Sequence, residues 1–196
     1  MKSRPRDDPA TEDPVAAIGF PGAATEVPVP ATEVPVPARH PYLAEIEAER
    51  AGWYELADLV RGLTRRERLT PGYYRDPDWS AREVVGHVGT WLAEAQIQLE
   101  RIGAGTYEGH DVDVDALNAT FLEAMRDQPW EVAWVQANAG RTMMLQAWYS
   151  LREPSDEAAW WIRKAAADHY AEHLDRLRDW VTELLAKRVP TSPSRS

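Results

Sequence analysis

Apolar residues recur at three- and four-residue spacing along most of the chain from Tyr42 onward. In the first such segment the repeat connects Leu43, Ile46 and Trp53 and continues to Gly62. This period matches the turn of an amphipathic α-helix, whereas the alternation of apolar and polar residues that is typical of strands is absent. Such a chain builds a core by packing helices against one another, and we predict an all-α protein.

Clusters of proline, glycine and aspartate divide this helical pattern into segments. A loop is predicted at residues 70–78, and a capping box begins the next helix. Four long helices joined by short links favour an antiparallel up-and-down bundle, with a shorter helix in the longer crossover. The predicted helices cover residues 42–62, 80–102, 116–125, 129–151 and 156–188.

Residues 1–39 differ from the rest, because they hold eight of the fifteen prolines. The segment Ala24-Thr-Glu-Val-Pro-Val-Pro30 returns unchanged at residues 31–37. Prolines at this density favour extended polyproline II and cannot build a core. We interpret the segment as a disordered tail that is either a spacer or the result of a misjudged upstream start codon; a docking peptide for a proline-binding partner is the alternative. The helical domain then covers residues 40–188, and residues 189–196 form a disordered C-terminus.

The charge of the chain argues against some classes of partner. A formal net charge of −10 repels a phosphate backbone, and no stripe of lysine and arginine offsets it, so we expect no nucleic-acid partner. No apolar run approaches the roughly 20 residues of a membrane helix, and no secretory signal is recognisable, so we expect a cytoplasmic protein without membrane contact. Zero cysteines leave histidines and carboxylates to hold any metal ion.

Three histidines are the strongest candidates for a chemical role. His169 and His173 stand four residues apart on the last predicted helix, which places both imidazoles on one face. His87 lies on the apolar stripe of the second helix, so its imidazole points toward the core. Facing helices can bring the three together as ligands of one ion. A chance histidine pair and a core histidine bonded to a carbonyl are the alternatives, and the residue pattern does not decide between them.

A metal site of histidines also needs groups that orient the imidazoles and handle protons. Glu83, Asp168 and Glu172 are the candidates nearest in sequence. Glu172 points about 100° away from His173 on a helical wheel, so a surface charge is the stronger interpretation for it. The same alternative applies to Asp168.

Other residues are candidates for the pocket wall or for substrate contact. Asn118 either braces the crossover or meets a substrate, and Arg141 either holds an anionic substrate or is a solvated arginine. Tryptophans in such a domain serve as core or as pocket wall. The tryptophans considered for this role are Trp79, Trp91 and Trp160.

Three segments resemble the DinB-like four-helix bundle superfamily and occur in the same order. They are Trp79-Ser-Ala-Arg-Glu-Val-Val-Gly-His-Val88, Asp113-Val-Asp-Ala-Leu-Asn118 and Asp168-His-Tyr-Ala-Glu-His-Leu174. The resemblance spans about residues 42–187. It implies the four-helix fold, and it implies that His87, His169 and His173 are ligands of a divalent metal, with zinc expected and nickel, iron or manganese as alternatives.

Two branches of that superfamily look closest to this chain. One contains mycothiol-dependent enzymes related to maleylpyruvate isomerase, and the other resembles the colibactin self-resistance hydrolase. Maleylpyruvate isomerase has glutamate where this chain has His169, so its own reaction is not implied. The loop at residues 151–157 is also shorter than that of many relatives, which leaves the size of the substrate open.

The resemblance implies three candidate functions. The first is transfer of a low-molecular-weight thiol, such as mycothiol, to a small electrophile. The second is a hydrolase that detoxifies a reactive metabolite, and the third is a non-catalytic binding or stress bundle with a structural metal. A homodimer is a further expectation, because bundles rich in tryptophan often pair through an apolar face.

Overall fold

The computed structural model describes residues 42–75, 78–109 and 112–188, and within these ranges the protein is entirely helical, without strands. The predicted all-α class is confirmed. The predicted tail and C-terminus lie outside the described residues. The helices are α1 Leu43–Arg61, α2 Arg65–Arg68, α3 Ala81–Ala104, α4 Val114–Met125, α5 Trp130–Ser150, α6 Asp156–Ile162 and α7 Asp168–Ala186, with a π-helical segment at Arg163–Ala167 between the last two.

The predicted helices agree with these bounds to within a few residues, with two exceptions. The short helix α2 falls where no helix was predicted; Thr64 and Glu67 form its capping box. The last predicted helix contains the π segment, which apolar periodicity does not reveal. A π turn holds more residues than an α turn, so the side chains after it point in directions that a continuous α-helix would not give them. Such segments often lie next to functional sites. Here it directly precedes the turn that carries His169.

The capping box predicted for the start of α3 is confirmed. The Ser80 hydroxyl accepts a hydrogen bond from the backbone N–H of Arg82 at 3.2 Å, and the Glu83 carboxylate accepts one from the Ser80 N–H at 2.9 Å. These bonds satisfy donors that a helix start leaves unpaired. They fix where α3 begins and therefore where His87 lies on it.

Helix α3 packs most extensively against α5. The two backbones approach so closely that a Cβ on Gly89 would lie 2.8 Å from the Cα of Ala137. No larger residue fits there, and small residues on both faces let the helices close on each other. The core that results is continuous and holds apolar side chains of α1, α3, α5, α6 and α7. No helix in the described ranges is long and apolar enough to cross a membrane.

Candidate metal centre

Three histidine side chains meet in the interior of the domain. His87 comes from α3, and His169 and His173 come from α7; each is at most 8% exposed. The Nε2 atom of His169 lies 3.0 Å from Nε2 of His87 and 3.1 Å from Nε2 of His173. One ring nitrogen from each of the three histidines lies within 4.8 Å of one ring nitrogen of the other two. The histidines of α3 and α7, which the sequence alone could not place side by side, are therefore adjacent in the structure.

Two explanations compete for these short distances: hydrogen bonds between the imidazoles, or a ligand set for one cation. The Nε2 atom of His169 carries either one proton or one lone pair, so it can form only one hydrogen bond. The remaining pair would then hold two nitrogens about 3 Å apart with no proton to bridge them. A cation among three lone pairs satisfies all of them, and nitrogen ligands of one tetrahedral zinc lie roughly 3.3 Å apart. The geometry favours the ligand set.

A tyrosine from the loop before α3 fixes the tautomer of His173. The Tyr73 hydroxyl donates to the backbone carbonyl of His173 at 3.1 Å and lies 2.9 Å from Nδ1 of the same residue. A phenol has one proton, so the hydroxyl that donates to the carbonyl accepts from Nδ1–H. Burial raises the pKa of Tyr73, so the phenol keeps that proton. The Nε2 lone pair of His173 is thereby directed at the other two histidines.

His169 has a different environment. Its Nδ1 atom is buried and makes no hydrogen bond within the described part of the chain. The backbone carbonyl of Ala165, one turn earlier, raises the pKa of His169 without reaching hydrogen-bond geometry at Nδ1. A metal on Nε2 would place the remaining proton on Nδ1, facing that carbonyl. Ligating histidines commonly direct this N–H toward a backbone carbonyl.

The buried position keeps all three imidazoles uncharged. Burial lowers the pKa of His87 to about 3 and that of His173 to about 4. Burial, together with the other two imidazoles, holds the pKa of His169 well below its usual value. At neutral pH each ring therefore carries a free lone pair, which is the form that binds metal.

A cavity of about 350 Å³ reaches two of the three histidines. We call it the histidine pocket. Its walls include the aromatic rings of the loop and residues of α4, and no carboxylate lines it among the described residues. An ion held by the three imidazoles would thus have an approach from outside. The pocket is lined by Tyr74, Trp79, His87, Asn118, Ala119, Leu122 and His173.

The loop that carries Tyr73 is held by α7. Arg176 donates to the carbonyls of Tyr73 at 2.7 Å and Gly72 at 2.8 Å. Gly72 adopts a φ of 123°, and a Cβ there would lie 2.6 Å from the ring of Trp180, so only glycine fits. Because Arg176 follows His173 on the same helix, one element positions both the ligand and its tyrosine partner.

None of the three carboxylates predicted near the site belongs to the group of side chains that could hold one ion. Glu83 bonds to Ser80 and Arg82, and these contacts hold the pKa of its carboxyl below the usual value despite the opposing effect of burial. Asp168 and Glu172 are exposed on α7. None of the three lines the histidine pocket.

Of the residues predicted to form the pocket wall, some lie at the three histidines and one does not. Trp79 and Asn118 line the histidine pocket. The Trp91 ring lies 5.9 Å from that of His169, and its indole N–H donates to Asn118 Oδ1 at 3.0 Å. Trp160 instead packs edge-on against the neighbouring Trp161, 5.0 Å between ring centres.

Arg141 belongs to a separate buried cluster. Its guanidinium bonds both carboxylate oxygens of Glu49, at 2.6 and 2.8 Å, and the Tyr170 hydroxyl donates to the same carboxylate at 3.3 Å. Glu49 is fully buried. Arg141 therefore holds a carboxylate of the protein itself.

Sequence reasoning missed Tyr73 and Glu49. Glu49 had a signal, because it lies three residues after Ile46 and four before Trp53 on the apolar stripe of the first helix, where a charge needs a buried partner. Tyr73 had no such signal, since it lies in a loop and its partner His173 is 100 residues away in sequence.

Comparison of the chain with family models, with curated proteins and with solved structures finds no significant match.

Proposed function

We propose that the protein is a divalent-metal-dependent transferase, built as an up-and-down four-helix bundle of the DinB-like type, that joins a low-molecular-weight thiol of the mycothiol kind to a small electrophile. The observation that carries the proposal is the convergence of three uncharged imidazoles beside an accessible pocket. His87, His169 and His173 would hold the ion. Nitrogen ligands in this number suit zinc.

The bound metal would supply Lewis acidity, which ionises a thiol near neutral pH. The protein contributes a largely apolar approach to the ion, flanked by the aromatic rings of Tyr74 and Trp79 and by the side chain of Leu122. In the transfer, the S–H bond would break and its proton would pass to solvent, and sulfur would bond to the electrophilic carbon. The bond from that carbon to its leaving group would break, and the leaving group would depart as an anion, which is chloride in the case of 1-chloro-2,4-dinitrobenzene.

The lining of the pocket supports thiol transfer over hydrolysis. Metal-dependent hydrolases commonly use a carboxylate as general base beside the ion. The described lining holds no carboxylate, and the three candidates Glu83, Asp168 and Glu172 lie elsewhere. A thiol needs no such base once it is near the ion. Because the chain has no cysteine, the thiol must be a cosubstrate.

A purely structural metal is the weaker interpretation. Structural zinc sites are closed by four protein ligands, whereas catalytic sites keep one position for substrate or water. Among the described residues, three groups converge, and a cavity reaches two of them.

The test combines metal analysis with thiol-dependent turnover. Purified protein is loaded with zinc, and consumption of 1-chloro-2,4-dinitrobenzene is followed with mycothiol, glutathione or cysteine, or without thiol. We expect one ion per chain and consumption that requires both metal and a thiol. His87→Ala should abolish both, while Glu172→Gln, an exposed neighbour of the same site, should change neither.

Two results would overturn the proposal. Protein that takes up no stoichiometric metal would remove its basis. Metal-dependent consumption of electrophiles at the same rate without thiol would identify hydrolysis instead.

A further inference from the structure

The side-chain amide of Asn118 has a defined orientation. Its partner, the indole N–H of Trp91 at 3.0 Å, can only donate. The atom that faces the indole must therefore be the amide oxygen, and the NH₂ group must point the other way. The chemistry of the partner thus settles which end of the amide faces which side.

The NH₂ group of Asn118 makes no hydrogen bond within the described ranges, although Asn118 lines the histidine pocket and is half-buried. Two residues of α4 pack against α3: Phe121 lies edge-on to Trp91 with 5.6 Å between ring centres, and Met125 is buried against the α3 backbone at Gly86. The pocket therefore presents a donor whose orientation is set by Trp91 and that pairs with no described residue.

The surroundings of this donor are mostly apolar. On α4, Ala119 and Leu122 share the pocket wall with Asn118, and the loop adds the ring of Trp79. Pockets of this kind hold the apolar body of a ligand by contact and orient it through a few polar groups. Here the polar group available on the α4 side is the Asn118 amide.

We propose that Asn118 is a substrate-binding residue that selects electrophiles carrying a carbonyl or carboxylate oxygen on an apolar body. The oxygen accepts from the Asn118 NH₂ group, while the apolar body lies against Leu122 and Trp79. This inference rests on the proposed function, since it names the class of electrophile that the same site accepts. Trp91 acts through Asn118 and is a positioning residue.

Two variants test whether binding depends on the NH₂ group of Asn118 and not on a change in the folded structure. Asn118→Asp keeps an oxygen that can accept from Trp91 but replaces the NH₂ group with a second oxygen. Asn118→Leu removes the donor without adding charge. Asn138→Asp on α5 is the matched control, because Asn138 is also half-buried but does not line the pocket.

Binding is measured by saturation-transfer NMR on zinc-loaded protein with acetophenone, benzoate and ethylbenzene as probes. Both Asn118 variants should bind acetophenone and benzoate on the order of 10-fold more weakly than wild type, because loss of one hydrogen bond to a ligand has about this effect. Ethylbenzene, which has no acceptor, should bind all proteins equally. The control variant should match wild type with every probe.

Three outcomes would overturn the assignment. Equal affinity of wild type and Asn118→Leu for acetophenone would show that the amide does not contact the ligand. A loss confined to benzoate with Asn118→Asp would reflect charge repulsion alone. Equal losses for ethylbenzene would indicate a distorted pocket. Wild-type protein that holds no zinc would instead refute the proposed function, so the two failures are distinguishable.

Discussion

Two buried polar clusters share helix α7 and differ in how completely their members are paired. In the first, the Glu49 carboxylate receives two bonds from Arg141 and one from Tyr170, so its charge is matched inside the protein. In the second, the two short Nε2 contacts of His169, to His87 and to His173, cannot both be hydrogen bonds, so at least one of them is unpaired inside the protein.

This difference in pairing indicates that the Glu49 cluster stabilises the fold and that the histidine cluster binds a ligand. A cation among the three nitrogens would pair with all of them, so the imidazoles are the cluster that can take a ligand. Tyr170 and His169 are neighbours in sequence, yet one completes an internal ion pair and the other faces two more imidazoles. We expect substitutions in the first cluster to change stability and substitutions in the second to change metal binding.

The largest expected effect is loss of metal after His169→Ala. Removal of one of three ligands should weaken zinc affinity by on the order of 1,000-fold, because each ligand carries a large share of the binding free energy. Competition with a chromophoric chelator measures the affinity. The metal-free variant should melt close to metal-free wild type, and Asp168→Asn is the control on the same helix. Unchanged zinc affinity would contradict the assignment of metal binding to the histidine cluster.

The next effect is the loss of folding free energy after Glu49→Gln. The change leaves the Arg141 charge without its counterion, and breaking a buried pair costs about 3 kcal/mol or somewhat more. Urea denaturation of the zinc-free protein measures this. The zinc affinity of the folded variant should equal that of wild type. If affinity fell in parallel with stability, the two clusters would be one functional unit.

A smaller loss of folding free energy is expected when the metal-free protein is acidified. Unfolded histidine has a pKa near 6.5, whereas the folded pKa of His87 is about 3, so below pH 6.5 the unfolded state binds a proton that the folded state excludes. Stability is complete above pH 6.5 and falls as the pH drops toward the folded value. Between pH 6.5 and 5 the loss should reach about 2 kcal/mol for this residue.

His87→Gln isolates that contribution, since glutamine does not titrate. Unfolding free energies of both proteins are measured at several pH values with a chelator present. The variant should lose less stability than wild type on acidification. Parallel curves would show that the imidazole becomes charged inside the fold.

The smallest effect is expected for Tyr73→Phe. The change removes the hydroxyl that holds the proton of His173 on Nδ1, and loss of such a partner weakens metal affinity by about 10-fold. The chelator assay detects this difference, and Tyr149→Phe, at an exposed tyrosine of α5, should have no effect. An unchanged affinity after Tyr73→Phe would mean that another group orients His173.

The helices could largely be predicted from the sequence, because their signals are local. Apolar spacing located α1, α3 and α5, and the Ser80 and Glu83 pair located the start of α3 to the residue. The π segment could not be predicted, since apolar periodicity does not distinguish a five-residue π turn within a long helix. Helix α2 was missed because a four-residue helix has too few turns for periodicity to show.

The candidate site was predicted in part. Residue type and spacing singled out His87, His169 and His173, and the structure brings their Nε2 atoms together. Arg141 was weighed as an anion-binding residue and instead pairs with Glu49, a contact across 92 residues that no local pattern encodes.

The sequence by itself determined the helical class, the exclusion of cysteine chemistry and the pair of histidines on one face of the last helix. These depend on residue type and on spacing within a turn or two. Only the tertiary structure decided that His87 reaches that pair, that Tyr73 orients His173, and that Asn118 lines the pocket while its amide oxygen accepts from Trp91. Such relations depend on how helices distant in sequence pack against each other, and packing is fixed by the whole core together.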